Sequence, residues 1–299
     1  MEKISFLLKP KVTSEFSGIL PNLVKWLLKM NKNLFFLEDE AKRIQKLIPK
    51  LHSKLNFISY DEIFAKSDLI ITLGGDGSLL GASRKSLKNG PPIFGINLGK
   101  LGFITEFSQF DFYDQLEATL AGKFTLAPLP LFKVEVFRAK EIIFRSYFVN
   151  DAVINKNDIS RMFTLSMETN EEQVALFSGD GVIISSPIGS TAYSLAAGGP
   201  IIHPLVKSLA ITPICPHSLT NRPMVITDDS ALIIKVYPTK GQINLTLDGQ
   251  EYLEINNQDS VIIKKSALVA NLIKNPERTY FQTLKEKFTQ GKVTIKKSN

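Results

Sequence analysis

Short apolar runs and helical periodicities alternate through the first third of the chain. Residues 3–8 (Lys-Ile-Ser-Phe-Leu-Leu) and 33–37 (Asn-Leu-Phe-Phe-Leu) read as buried strands, and between Ile19 and Met30 apolar residues recur at the spacing of one helix face. A second helical stretch, Glu40 to Leu51, precedes the apolar run Leu69-Ile70-Ile71-Thr72-Leu73; a glycine turn, a short helix and the strand Ile93-Phe94-Gly95-Ile96 follow. This alternation of strand and helix predicts a parallel, Rossmann-like α/β domain over residues 1–115. After a helical piece near Phe112 to Ala121 the period becomes two. Alternating stretches at 131–138, 142–149, 163–169, 173–177, 181–186, 231–237, 243–248 and 260–264 predict a mostly antiparallel β domain over 116–272, with one helix after Ser190. The segment 273–299 turns helical again, with Pro276 suited to a first helical position. Tyr280, Phe281, Leu284 and Phe288 recur there at helical spacing, so this helix is expected to pack back on the first domain.

Composition narrows the class. At 299 residues, 44% hydrophobic and 22% charged, the chain has the make-up of a folded protein of two domains. No apolar run approaches the ~18 residues of a membrane-spanning helix. The first apolar stretch breaks at Lys9-Pro10-Lys11, too early for a signal-peptide core, so a cytoplasmic protein is expected. A single cysteine, Cys215, and three histidines, His52, His203 and His217, leave no disulfide and no Cys/His zinc cluster. Any metal must then be held by carboxylates or arrive with a phosphate ligand. The net charge of +7 resides entirely in residues 261–299, which hold nine Lys or Arg against Glu277 and Glu286. No aromatic-interleaved basic patch accompanies them, and the segment reads as a solvated helix rather than a nucleic-acid-binding tail.

The sharpest chemical signal is Gly74-Gly75-Asp76-Gly77-Ser78, set between an apolar strand and a helix that Ser78 is placed to cap. Glycines there let backbone amides approach phosphate oxygens. A carboxylate beside such a cradle repels simple anions; it makes sense as the acceptor of a proton from an attacking hydroxyl, or as a metal contact. Neither standard nucleotide loop fits: the dinucleotide fingerprint needs glycine where Leu80 stands, and Gly95-Ile-Asn-Leu-Gly99-Lys100-Leu101 is one spacer short of a P-loop and lacks its hydroxyl. On its own the turn also fits a bare strand-to-helix connection. A second constellation runs from Ser178-Gly-Asp180 through Pro187-Ile-Gly189-Ser190-Thr191-Ala192-Tyr193-Ser194-Leu195-Ala196 to Gly198-Gly199-Pro200. Small side chains at a helix start admit a flat ring or a ribose, although small-residue helices also serve close packing alone. Asn150-Asp151 interrupts an apolar strand, so that one side chain can face a ligand and the other hold the strand or loop geometry, although on its own the pair fits a plain turn nearly as well. Leu247-Asp248-Gly249-Gln250 reads as a hairpin turn.

In this order and at these distances the motifs, together with Pro216 to Pro223, resemble those of the NAD kinase family; Gly-Gly-Asp-Gly alone is shared with phosphofructokinases and with lipid kinases. The resemblance implies transfer of a phosphoryl group from ATP, or in some members polyphosphate, to the 2′-hydroxyl of the adenosine ribose of NAD, with a divalent metal such as Mg2+. It implies Asp76 as proton acceptor, Gly74, Gly75, Gly77 and Ser78 as the phosphate loop, and Asn150 and Asp151 as ligands of the adenosine portion. It further places Thr191, Ala192, Tyr193, Ser194, Leu195 and Ala196 around adenine, Asp180 at the nicotinamide end and Gln250 closing the site, with Asp76, Gly77, Arg161 and Ser178 also touching the dinucleotide. Relatives form dimers or tetramers, and His217, Leu219 and Arg222 would then lie near a neighbouring subunit's pocket. Asp151 stands where the family usually has Glu, and Ile188 where it has Thr. The rival readings are a lipid or sugar-phosphate kinase with the same loop and a non-catalytic dinucleotide sensor. The first would want a membrane-facing element or a different sugar-phosphate motif; the second has no use for Asp76.

Overall fold

A computed structural model describes residues 1–10, 16–85, 90–99, 102–157, 162–170, 172–218, 220–237 and 241–288. The chain divides into two compact units, one of residues 1–82, 89–127 and 271–299, the other of residues 83–88 and 128–270.

The first unit is a parallel α/β layer. Its elements run β1 (Lys3–Leu8), α1 (Leu20–Lys29), β2 (Asn33–Leu37), α2 (Ala41–Leu47), β3 (Asn56–Ile58), α3 (Tyr60–Lys66), β4 (Leu69–Gly74), α4 (Asp76–Arg84), β5 (Ile93–Asn97), β6 (Phe107–Ser108) and α5 (Phe112–Leu120). The strands pair in the order β5-β4-β1-β2-β3, all parallel, with β6 alongside β5. Every residue of β4 and of β5 is buried, as expected of central strands covered on both faces. Helix α1 places Pro21 in its first turn and turns Leu20, Leu23, Val24 and Leu27 inward, the stripe its spacing predicts. Ser59 and Glu62 cap α3 reciprocally. Stacked rings, Phe6 on Phe36 at 4.8 Å and Phe94 on Phe107 at 4.0 Å, fill the core.

The second unit packs two sheets on one core. It contains β7 (Leu126–Arg138), β8 (Glu141–Phe148), β9 (Asp151–Lys156), β10 (Phe163–Thr169), β11 (Glu172–Gly179), β12 (Gly181–Ser185), the four-residue α6 (Tyr193–Ala196), β13 (Ser208–Ile214), β14 (Met224–Thr227), β15 (Leu232–Val236), β16 (Ile243–Leu247), β17 (Glu251–Ile255) and β18 (Asp259–Ile273). One sheet has the order β14-β13-β12-β9-β16-β17 and is antiparallel throughout; the other has the order β11-β10-β15-β18, with β7 and β8 continuing from β18, and its β11-β10, β10-β15, β15-β18 and β7-β8 pairs are antiparallel. Inward residues of both, such as Ile154, Val182 and Leu245 against Val134, Leu165 and Ile234, share one apolar cluster. The alternation-based reading passed over β13, β14 and β17, and took the end of β8 and the start of β9 as one strand interrupted at Asn150-Asp151. Beta13 (Ser-Leu-Ala-Ile-Thr-Pro-Ile) is buried along six of its seven residues, so it shows no inside-outside alternation, and Pro213 argues against a central strand.

Beta18 ends in the first unit, where Leu272 pairs in parallel with Ile93, and α7 (Tyr280–Phe288) follows it there. Asn275 secures the connection: its backbone N–H donates to the Glu106 carboxylate and its amide to the Glu106 carbonyl at 3.2 Å. The packed stripe of α7 is Tyr280, Thr283, Leu284 and Lys287, which keeps Tyr280 and Leu284 of the expected set; Phe281 is 67% exposed, and Phe288, half-exposed, has its ring 6.2 Å from that of Phe103. Positions 280, 283, 284 and 287 make the i, i+3, i+4, i+7 face of a helix, and 281 lies about 100° off it.

Candidate active site

In the first unit the glycine turn closes β4 and Asp76 is the first residue of α4. Ser78 therefore sits inside the first turn rather than capping it, its N–H donating to the Gly75 carbonyl at 3.0 Å. The Asp76 carboxylate is gripped by the loop after β5. Oδ2 accepts from Phe103 N–H at 2.8 Å, while Oδ1 accepts from Ile104 N–H at 3.2 Å, Thr105 N–H at 2.9 Å and the Thr105 hydroxyl at 2.8 Å. Buried Asn97 holds Thr105 in turn, Nδ2 to Oγ1 at 2.8 Å. Gly102 is required where it stands, because a Cβ there would lie on the Asp76 carboxylate. Oδ1 is thus fully used, whereas Oδ2 keeps acceptor capacity. Around it a cavity of about 280 Å³ is lined by Lys9, Gly74, Gly75, Asp76, Asn97, Leu98, Gly99, Gly102 and Lys287. Lys9 and Lys287 carry no motif signature.

The second unit builds a related grip around Asp248. Beta16 and β17 are joined by a turn with Asp248 at φ 50° and Gly249 at φ 64°, the left-handed pair of a tight hairpin. The Asp248 side chain is completely buried. It accepts from three successive amides, Val149 at 3.0 Å, Asn150 at 2.7 Å and Asp151 at 3.1 Å, and pairs with Arg84 at 3.2 Å. Arg84 also donates to the Gln250 side-chain oxygen at 3.0 Å. The Asn150-Asp151 backbone is thereby fixed, and the Asp248 N–H returns a bond to the Asp151 carbonyl at 2.9 Å. Gly189 closes the other side; a Cβ there would collide with the Asn150 carbonyl. On this fixed backbone Asn150 Oδ1 is buried with no hydrogen bond among the described residues, and the Asp151 residue is 5% exposed. Burial, and then the neighbouring Asp248 charge, push the Asp151 carboxyl up to about 7. Burial also raises Asp248, opposed by the three amides and Arg84. Asp248 was legible as a turn residue; its amide partners lie 97 to 99 residues away in sequence and Arg84 lies 164 away, so its role as a clamp was not.

The remaining sequence-selected residues fall around this second cluster or apart from it. Ser194 turns its hydroxyl inward to Thr212 at 2.9 Å, and Thr191 bonds the Ile188 carbonyl at 3.3 Å. Tyr193 is 49% exposed. Ala192, Leu195 and Ala196 complete the short helical segment. Ser178 on β11 bonds Thr164 at 2.6 Å, and its carbonyl accepts from His217 N–H at 2.9 Å. Asp180 pairs with Lys156 at 2.7 Å. Gly77, His217 and Arg222 are exposed. Arg161 and Leu219 lie outside the described residues.

The cavity, lined by glycines and by Lys9 and Lys287, lies at the carboxyl ends of parallel strands, where open α/β sheets place their ligands. The comparisons define the class. Family models described as the ATP-NAD kinase N-terminal domain and the ATP-NAD kinase C-terminal domain match residues 19–124 and 149–275. The chain is 42% identical over 233 residues to the NAD kinase of Desulforamulus reducens, covering 78% of this chain and 81% of that one. It is 37% identical over 275 residues to the NAD kinase of Geobacter sp. (strain M21), covering 92% and 94%. In fold it is similar to yeast NADH kinase complexed with NADH, with TM-score 0.87, 22% identity and coverage of 99% of this chain and 90% of that one. It is likewise similar to an NAD kinase from Archaeoglobus fulgidus in complex with ATP, with TM-score 0.73, 22% identity and coverage of 95% and 98%. The chain belongs to the NAD kinase family. Nothing in these relationships favours a lipid kinase, a sugar-phosphate kinase or a sensor.

Proposed function

We propose that the protein transfers the terminal phosphoryl group of ATP to the 2′-hydroxyl of the adenosine ribose of NAD, giving NADP. The observation that carries this reading is the Asn150-Asp151 pair: an immobilised backbone presenting a buried amide oxygen with no hydrogen-bond partner among the described residues, beside a buried carboxyl. Buried polar groups in folded proteins are almost always paired. A pair left open on a rigid support is therefore prepared for a ligand, and ribose hydroxyls or adenine nitrogens have the matching chemistry. Family membership supports the same substrate.

The second unit holds the dinucleotide in this reading, with Asn150, Asp151 and Gln250 at the adenosine, the Thr191–Ala196 segment around the adenine, and Ser178 and Asp180 toward the other end. The first unit handles phosphate through the backbone of Gly74, Gly75 and Gly77. Asp76 Oδ2 accepts the proton as the ribose oxygen bonds to the γ-phosphorus and the bond from that phosphorus to ADP breaks. Three loop donors on Oδ1 and one on Oδ2 fix the carboxylate, so that the remaining lone pair of Oδ2 is aimed rather than mobile.

Among the described residues no group of three or more His, Cys, Asp or Glu is placed to hold a metal, and Asp76 is the one carboxylate on the cavity. That donor set does not make a protein cage, so Mg2+ belongs with the Mg-ATP substrate, held chiefly by phosphate oxygens. A homo-oligomer with His217, Leu219 and Arg222 near a neighbouring subunit belongs to the same proposal, as does a cytoplasmic location; among the described residues no helix is long and apolar enough to cross a membrane. Incubation with NAD and Mg-ATP or, separately, polyphosphate, with NADP read by an NADP-specific dehydrogenase, tests the activity and the donor. No NADP with either donor defeats the proposal.

A further inference from the structure

The basic C-terminal segment is the one sequence feature that this function leaves unused. Its last described turn reaches the glycine-lined cavity. Lys287 lies on the packed stripe of α7, its ammonium 5.8 Å from the centre of the Phe103 ring, and it lines the same cavity as Gly74, Gly75 and Asp76. Phe103 is also the residue whose N–H holds Asp76 Oδ2. The nearest acidic residue in sequence, Glu286, is engaged by Arg278 at 2.9 Å, and Lys287 has no carboxylate partner among the described residues. Lys9, which follows β1, lines the cavity as well.

A cavity lined by Lys287, Lys9, glycine backbone and a single carboxylate, most of whose acceptor capacity is already spent, suits an anionic ligand. We propose that Lys287, with Lys9, receives the phosphate chain of the phosphoryl donor, making α7 a contributor to donor binding as well as a packing element. This rests on reading the Gly74–Gly77 turn as the phosphate site. The ligand chemistry is a linear polyphosphate, supplied by ATP or by inorganic polyphosphate. An ammonium suits it as a point charge that needs no fixed orientation. The plainer role for a lysine at this position is favourable interaction with the helix C-terminus. Lys285 occupies the same last turn and can serve that end without reaching the cavity.

The test uses the full chain, with Lys287→Gln and Lys287→Arg. Inorganic tripolyphosphate binding is measured by calorimetry without NAD, beside steady-state KM for Mg-ATP and for NAD. Lys287→Gln should weaken tripolyphosphate and raise KM for Mg-ATP by roughly ten- to a hundred-fold, the scale of one lost charge-assisted contact. KM for NAD and the melting temperature should stay as in the parent, and Lys287→Arg should restore most of the affinity. Unchanged tripolyphosphate affinity in Lys287→Gln overturns the inference; so does a lowered melting temperature with KM for both substrates raised alike, which marks Lys287 as a packing residue. The calorimetric result stands without turnover. If no NADP forms, yet Lys287→Gln still loses tripolyphosphate, the phosphate site is upheld and the activity assignment alone falls.

Discussion

Two carboxylates in different units are held by the same device and end in opposite states. Asp76 is gripped by the amides of Phe103, Ile104 and Thr105, and Asp248 by those of Val149, Asn150 and Asp151. In each case three consecutive N–H groups converge on one side chain, which fixes charge and position together. The difference lies in what remains. At Asp76 the fourth donor is a neutral hydroxyl on Oδ1, and Oδ2 opens toward a cavity. At Asp248 the fourth donor is a guanidinium, and no part of the side chain is exposed. One carboxylate is steadied for use. The other is consumed in steadying its neighbours, and the open groups are the side chains of Asn150 and Asp151.

Asp76→Asn puts this contrast to its severest test. The amide keeps the shape but cannot take the proton, and general-base assistance is typically worth about 10²–10⁴ in rate. Turnover should fall by that much while NAD affinity, measured by titration, stays within about a few-fold. A loss of ten-fold or less would make Asp76 a loop anchor like Asp248. Asp248→Ala is next in size. It strands Arg84 and three amides, and removing one partner of a buried pair costs about 3–5 kcal/mol. Denaturant melts should show that loss, with KM for NAD raised more than KM for Mg-ATP. If both KM values stay at the parental level in the folded variant, the Asn150-Asp151 backbone does not depend on its clamp.

How far each region was visible beforehand follows the same divide. The α/β layer was legible because β1, β2, β4 and β5 are apolar runs separated by helical periodicity, both local signals. Gly-Gly-Asp-Gly was legible too, since its unusual composition sits at a strand end. The loop that holds Asp76 was not: Gly102-Phe103-Ile104-Thr105 has no pattern, and its amides matter only through closure over 27 to 29 residues. Asp248-Gly249 announced a turn through its residue types, but the partners of its carboxylate come from another strand end. Beta13 escaped because burial on both faces erases alternation. Local chemistry is written along the chain; the preorganisation of that chemistry depends on contacts that only folding makes.

Asp151→Ala sharpens the comparison from the ligand side. A charge-assisted bond to a ribose hydroxyl is worth about 1.5–3 kcal/mol, so kcat/KM for NAD should drop roughly ten- to a hundred-fold with little change in KM for ATP. Asp151→Glu, which restores the length usual in the family, should keep most of the activity if the pocket accepts one more methylene. Normal kinetics in Asp151→Ala with a lower melting temperature would leave Asp151 as a backbone-shaping residue.

The smallest expected effect is a pH dependence of stability that belongs to Asp151 rather than to Asp76. Its carboxyl is raised from 3.8 in the unfolded chain to about 7 in the fold by burial and by the Asp248 charge. Between these values the native state binds a proton that the unfolded state does not, so stability falls as pH rises. The stabilisation from protonated Asp151 is largest below about 4 and is lost by the time pH has passed well above 7. Between pH 6 and 8 the change integrates to about 1.4 kcal/mol for one group centred near 7. Asp248, raised in the same direction but tied to Arg84 and three amides, is present in both parent and variant. Asp151→Asn removes the titration while keeping size and polarity. Urea melts of parent and variant at pH 6 and pH 8 should therefore show the parent losing about 1.4 kcal/mol more than the variant. Equal losses would mean that Asp151 is already ionised at pH 6 and lies open to solvent or to a cation. Its resemblance to a group held ready for a ligand would then end, and the clamp at Asp248 would be supporting an ordinary surface carboxylate.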